Sequence, residues 1–350
     1  MSTFTSLVRK ESLQIVRDRR TLIVTIFIPL LLLLLFGFAI STEVNNVKIV
    51  VVADRHSPST RIIMERLSVN SYFSFEGLAA PSEIDDLLRK GKADAALVIA
   101  TDADGTQRTQ IIVDASNPTI GRTAASYISS VTASSGSAKS PVIVRTLYNP
   151  QMKSSYNFVP GIMGMIFILI CAIMTSVSIV REKESGTMDL LLVSPINPRT
   201  IIFGKLTPYF AVSCIILTIM LLISYTVLDL PLSASIWSVI GVTLLYIVVS
   251  LSIGLLVSTL ATTQVNALII SAMVFMVPVI LFSGMIYPIT NMPVPLQYFS
   301  AIIPARWYVE ALRKLMIQQL PLNYVIEEIA VLTVMTVLIL TVAIRKFNSR

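Results

Sequence analysis

SSYNFVPGIMGMIFILICAIMTSVSIV, Ser154–Val180, contains no Asp, Glu, Lys, Arg or His. A helix needs about 20 apolar residues to cross the hydrocarbon core of a bilayer. A charge at mid-bilayer costs about 2.5–3.5 kcal/mol on insertion scales, so an uninterrupted run of this length marks a span. Upstream, TLIVTIFIPLLLLLLFGFAIST lies between Arg20 and Glu43; downstream, LTPYFAVSCIILTIMLLISYTVL lies between Lys205 and Asp229. Leu230 to Ala305 carries no charge and is too long for one span. Thr262-Thr263-Gln264 divides it, and Gly284, Pro288, Pro293 and Pro295 end its second part. Two spans are expected there, near Ile236–Leu260 and Val265–Ile286. A last one covers Ile329–Ile344 and extends upstream through Tyr324 and Val325.

The fold class expected is an α-helical membrane protein with about six transmembrane helices and an α/β extracytoplasmic domain between the first and second spans. Composition agrees: 54% of residues are hydrophobic and 13% charged, against about 25% charged in a soluble domain. The net charge of +7 sits mostly beside apolar runs, which speaks for membrane orientation and against a nucleic-acid partner. Basic residues concentrate at Arg9–Arg20, Arg181–Lys205 and Arg345–Arg350. The positive-inside rule then puts both termini in the cytoplasm, in a multi-pass protein of the plasma (inner) membrane. Arg306, Arg313 and Lys314 fall on the other side, against the rule. The first span resembles a signal peptide, but its apolar part exceeds the usual 7–15 residues, so an uncleaved anchor is expected.

Residues 43–156 read as a soluble α/β domain. Strands are expected at Lys48–Ala53, Tyr72–Glu76, Ala95–Ile99, Thr109–Val113 and Val142–Leu147. Helices are expected at Ser59–Leu67, Ser82–Lys90 (opened by Ser82 and Asp85, closed by Gly91) and Asn117–Val131. The other divisions are an amphipathic helix over 1–20, a first span over 21–42, and five helices over 157–350, with a connection at 181–205 and a re-entrant segment at 283–320.

Three segments are candidates for function. Met1–Arg20 alternates apolar and basic residues, as an interfacial anchor or a docking helix would. REKESGTMDLLLVSPINPRTIIFGK, Arg181–Lys205, is far longer than a minimal turn needs. Its Thr187–Val193 can form a short helix with Met188, Leu191 and Leu192 on one face, ended by Pro195 and Pro198. Ser283–Lys314 is rich in proline and aromatics; Trp307 and Tyr308 suit an interface belt, and Ala305–Met316 an amphipathic helix.

Several chemistries lack their residues. His56 is the single histidine, which leaves little for a metal cluster or a Ser-His-Asp triad. Cys171 and Cys214 lie in apolar runs, so no disulfide framework exists. The sequence has no GxxxxGK[ST] and hence no nucleotide phosphate loop. The apolar runs offer no proton relay. The chain is expected to be no enzyme, to hold no cofactor, and to draw energy for active transport from a partner.

These segments resemble the ABC-2 type transporter permease, the membrane half of exporters driven by a separate ATPase. REKESGTMDLLLVSP with Gly204–Leu206 resembles that family's cytoplasmic connection. SGMIYPITNMP with Ile302–Arg313 resembles its outer re-entrant segment, here Gly284, Pro288, Pro304, Arg306, Glu310 and Arg313. VDASNP, Val113–Pro118, resembles the external domain of its multidrug and antibiotic-export branch. The resemblance implies an ABC ATPase subunit as partner, and a second permease chain forming a homodimer or related heterodimer in membrane lipid. It also implies a coupling role for Glu182, Glu184, Gly186, Thr187, Leu190, Ser194 and Pro195, beside Leu191. The cargo expected is lipophilic or amphipathic. The competing class is a membrane sensor or force transmitter whose external domain binds a ligand without cargo crossing.

Overall fold

The computed structural model describes residues 3–39, 47–53, 58–70, 73–90, 92–101, 107–113, 124–129, 131, 154–188, 196–231, 235–287, 289 and 292–348. The expected strand at Val142–Leu147, Gly91, and the residues from Asp189 to Pro195 lie outside these. The chain divides into two compact units, Ser41–Lys153 and the remainder, Met1–Ile40 with Ser154–Arg350.

The smaller unit holds a four-stranded sheet in the order β2-β1-β3-β4. The strands are β1 (Val47–Val52), β2 (Phe73–Leu78), β3 (Ala95–Thr101) and β4 (Gln107–Val113). β1 pairs in parallel with β2 and β3, and β4 runs antiparallel to β3. β1 is apolar almost throughout because both its faces are covered. Val47, Ile49 and Val51 meet Ile63 and Leu67 of helix α3 (Pro58–Val69), while Val50 and Val52 pack with Ile84 of helix α4 (Ile84–Arg89). The start of α4 differs from the expected Ser82–Asp85 box. The Glu83 carboxylate accepts from the Ala80 N–H at 3.0 Å, closing a 3-10 turn two residues earlier.

The larger unit is a helical bundle. It comprises α1 (Thr3–Arg17), α2 (Arg19–Ala39), α5 (Ser154–Glu184), α6 (Pro198–Thr226), α7 (Ile236–Leu260), α8 (Gln264–Phe282), α9 (Val294–Ala301), α10 (Pro304–Leu312) and α11 (Ile326–Asn348). Among the described residues five helices are long and apolar enough to cross a membrane, or six if the bent pair α1–α2, turned by 70°, counts as one. The helices run past the charge-free stretches. α5 takes in Arg181–Glu184, α6 takes in Arg199 and Lys205, and α11 takes in Glu327 and Glu328.

α5 is the hub. Its Cys171 Sγ lies 3.3 Å from Ser213 Oγ of α6, and its Ser176 Oγ lies 3.0 Å from Ser271 Oγ of α8. The Gly164 carbonyl of α5 accepts from Tyr246 Oη of α7 at 2.9 Å. Where α5 and α7 cross, a Cβ on Gly254 would stand 2.7 Å from the Ala172 carbonyl oxygen. Small residues permit that approach, as is usual where apolar solvent gives helices no other reason to associate. Buried hydroxyls are satisfied locally, for example Ser250 to the Tyr246 carbonyl and Ser224 to Met220, each at 2.8 Å. Such i−4 bonds let serine and threonine sit inside apolar helices.

Candidate functional site

Two constellations stand at the helix ends. The first is built on Arg181–Glu184, the last turn of α5, where each side chain reaches a different element. Lys205 of α6 sits beneath it, 2% exposed, with Nζ 2.8 Å from both Glu182 Oε2 and Glu11 Oε1 of α1. Lys10 donates to Glu182 Oε1 at 2.6 Å. Burial disfavours the charge on Lys10, but the hydrogen bond and proximity of Glu182, with Glu11, outweigh it and raise its pKa above the ordinary lysine value. Glu184 accepts from the Gln264 N–H at 2.8 Å and from the Gln264 side chain; Arg181 Nε donates back to Gln264 Oε1 at 3.3 Å. Lys183 donates to the Ser258 carbonyl. One helical turn thereby fastens α1, α6 and the α7–α8 turn.

The local sequence dictates this arrangement. α1 buries Leu7 and Glu11, one turn apart, against α6. Leu7 fits because position 204 is glycine: a Cβ there would come within 3.1 Å of Leu7 Cβ. Asn197 and Pro198 start α6, with Asn197 Oδ1 accepting from the Arg199 N–H at 3.0 Å, a cap with proline at the first helical position. Thr263 caps α8 through the Asn266 N–H at 3.2 Å. Gly186, at φ +72, ends α5 in a conformation that costs other residues energy. Thr187 Oγ1 then donates to the Glu182 carbonyl at 3.3 Å. Met188 turns into an apolar cluster with Ile179, Ile202, Leu255, Ala343 and Phe347. The structure thus brings Glu182, Glu184, Gly186 and Thr187 together; Leu190, Leu191, Ser194 and Pro195 lie outside the described residues. Glu11 and Lys205 were missed as site residues. The one local signal is a carboxylate on the apolar stripe of α1; Lys205 becomes a site residue only when α6 lies beside it.

The second constellation is the hairpin α9–α10 between α8 and α11. α10 buries Ala305, Tyr308, Val309, Ala311 and Leu312. Tyr308 does not join an interface belt. It is fully buried and stacks on Tyr246, ring centroids 4.1 Å apart, with its hydroxyl 3.2 Å from Thr243 Oγ1. Trp307 donates to the Ala301 carbonyl at 3.0 Å and lies beneath the Arg306 guanidinium. Arg306 donates to the Gln297 carbonyl at 2.9 Å, and Arg313 to the Gly284 carbonyl at 2.7 Å. Lys314 pairs with buried Glu328 and stands 3.7 Å from Glu310. Pro304 opens α10, a turn of π-helix over Arg313–Ile317 closes it, and Pro288 lies outside the described residues. The expected helix over Ala305–Met316 is therefore a core element.

A hub helix fastened at one end to three elements and packed at the other against a helical hairpin, among five or six helices long and apolar enough to cross a membrane, is the architecture of a multi-pass helical membrane protein. The family profile described as "ABC-2 family transporter protein" matches residues 19–345, and the chain belongs to that family. It is a permease component of an ABC transporter. Among its relatives is "Probable multidrug ABC transporter permease YbhR" of Escherichia coli, 30% identical over 95% of this chain and 94% of its own length. "Probable multidrug ABC transporter permease YbhS" of the same organism is 29% identical over 87% and 86%. "ABC transporter G family member 20" of Dictyostelium discoideum is 24% identical over 96% of this chain, and the match takes up 49% of its length.

Proposed function

We propose that this chain is the membrane subunit of an ATP-driven exporter of the inner membrane, moving lipophilic or amphipathic cargo outward. ATP hydrolysis occurs on a separate ATPase that docks on the Arg181–Pro198 connection. Both termini lie in the cytoplasm, and the Glu43–Tyr156 domain lies outside, between the first and second spans. A second permease chain, identical or related, completes the path. The segment 283–320, which contains the hairpin Val294–Leu312, forms the re-entrant segment at the outer mouth.

One observation carries the reading. The connection leaves the bundle from the turn that joins α1, α6 and the α7–α8 turn, and Glu182, Lys205 and Glu11 make that junction a buried ion cluster. A push on the connection is delivered to three elements at once, because close-packed ionic junctions do not deform gradually.

The test is Leu190→Glu in the chain co-expressed with its ABC ATPase partner. Charging a central docking residue costs about 2 kcal/mol or more, roughly thirtyfold in affinity. Membrane insertion and yield should stay intact, while ATPase co-purification is lost or hydrolysis proceeds without export. Full association with full export would refute the coupling role. ATP-dependent directional flux in inverted vesicles separates an exporter from a force transmitter, which hydrolyses ATP without moving cargo.

A further inference from the structure

We propose that the elbow between α1 and α2 is a binding site for an anionic phospholipid, one acyl chain in a cavity of the bundle and the phosphate headgroup on α1. The proposal goes beyond the transport reading and rests on one part of it, the cytoplasmic side assigned to α1, to which it adds that α1 lies along the inner membrane surface.

Two voids carry it. The first is a cavity of about 300 Å³ where the α1–α2 bend leans over α5, α6 and α8. Its walls are mostly apolar, with Ile15, Leu22, Ile173, Met174, Val177 and Leu268 among them, and Asp18, Ser178 and Arg181 add polar groups. That volume lies at the lower end of the range for small-molecule sites, and its apolar lining suits a hydrocarbon chain. The second void is an open groove of about 740 Å³ along α1, lined by Arg9, Lys10 and Arg17. Gln14 and Asp18 border both voids, so the two adjoin. An apolar slot next to a polar groove is the shape of an amphiphile.

Charge selects the headgroup. The groove presents three cations to one carboxylate, Asp18. Lys10 directs its ammonium to Glu182 at 2.6 Å. Arg9 and Arg17 are exposed two turns apart, with Leu13 between them on the same face. Guanidinium groups bind phosphate oxygens in pairs of parallel hydrogen bonds. Arg181, at the cavity, adds a fourth cation, held by Gln264. Glu11 and Glu182 are balanced by Lys205 and Lys10 together, so the selection of the headgroup rests on Arg9 and Arg17. The bound chain would brace the bend that sets the angle between α1 and α2.

The experiment reconstitutes the full chain in phosphatidylcholine vesicles containing a trace of phosphatidylglycerol with a photoactivatable acyl chain, or the same acyl chain on phosphatidylcholine. Cross-linked peptides are mapped by mass spectrometry. The phosphatidylglycerol probe should label residues 22–25 and 173–177 in preference to the phosphatidylcholine probe. Arg9→Gln with Arg17→Gln should weaken that labelling about thirtyfold, the factor two cations supply at about 1 kcal/mol each near an anionic surface. Val177→Trp, which fills the cavity, should abolish it and leave labelling around Met273, on the exposed face of α8, unchanged. Equal labelling by both probes, or labelling indifferent to the two arginines, would show unselective lipid contact and overturn the proposal. Val16, exposed on α1 and outside the groove, reports separately on the surface placement: if it is labelled and the elbow is not, this proposal alone falls. If neither is labelled, the placement of α1 fails and takes the proposal with it.

Discussion

Lys205→Met removes the cation at the centre of the buried cluster while keeping the length and volume of the side chain. The Lys205 ammonium stands 2.8 Å from carboxylate oxygens of both Glu11 and Glu182, and the three side chains are 2%, 1% and 8% exposed. Without it, Glu182 keeps Lys10 at 2.6 Å, but Glu11 is left with Lys10 at 3.6 Å as its one cation among the described ion pairs. Glu11 Oε2 already lacks a hydrogen-bond partner. Removing one partner of a buried pair costs about 3–5 kcal/mol, since an uncompensated charge stays in a low-dielectric site. Lys205→Met should therefore destabilise by about that amount, read as the shift in the midpoint of SDS-induced unfolding in mixed micelles. Trp307, held by the Ala301 carbonyl, serves as a fluorescence probe. Adding Glu11→Gln removes the orphaned charge and should recover at least about 1 kcal/mol, a coupling expected between directly contacting residues. A Lys205→Met variant within about 0.5 kcal/mol of the parent, the range of ordinary surface substitutions, would refute the idea that the cluster holds α1 to the connection. So would a double variant whose loss equals the sum of its parts.

Gly254→Ala places a methyl 2.7 Å from the Ala172 carbonyl oxygen, backbone that cannot swing aside; it should cost about 1–3 kcal/mol as an overpacked crossing, and an unchanged unfolding midpoint would contradict the described approach of α5 to α7. Arg313→Met strips the Gly284 carbonyl of its donor and should cost about 1–3 kcal/mol, visible as earlier proteolysis between Ser283 and Lys314; parental resistance would mean the bond does not hold the hairpin. For orientation, cysteines introduced at Ser137 and Ser349 should differ: an impermeant thiol reagent that has access to the outer face labels the first and not the second. Labelling of the second in intact cells would invert the proposed topology.

The long spans were legible because their signal is local. Charge-free length and the polar break at Thr262-Thr263-Gln264 together place α7 at Ile236–Leu260, and Thr263 caps the helix that follows. The buried strand β1 was legible for the same reason, since apolar residues on both faces imply cover on both faces. Pairings across the chain were not. Nothing local shows that Glu11 meets Lys205 194 positions away, or that Tyr308 leaves the membrane interface to stack on Tyr246. Both depend on which helices become neighbours, and that is decided by small residues such as Gly204 and Gly254, whose role appears only with the partner surface beside them.

The placement of basic residues admits a physical resolution. The positive-inside rule concerns cations whose charge remains available to water and lipid headgroups near the ends of spans. Arg306 and Arg313 do not meet that description. Each is partly buried and gives a hydrogen bond to a backbone carbonyl, Arg306 to Gln297 and Arg313 to Gly284, and Lys314 is paired with Glu328. These bonds satisfy backbone groups exposed where the helices break, which irregular backbone at membrane depth requires. At the opposite end Lys205 is likewise committed to carboxylates, yet Arg9, Arg17, Arg199 and Arg345 remain exposed. Counting only cations of this second kind removes the conflict that a plain tally of lysine and arginine creates. The difference supports the proposed orientation, with α1 and the Arg181–Pro198 connection on the cytoplasmic side and the hairpin opposite.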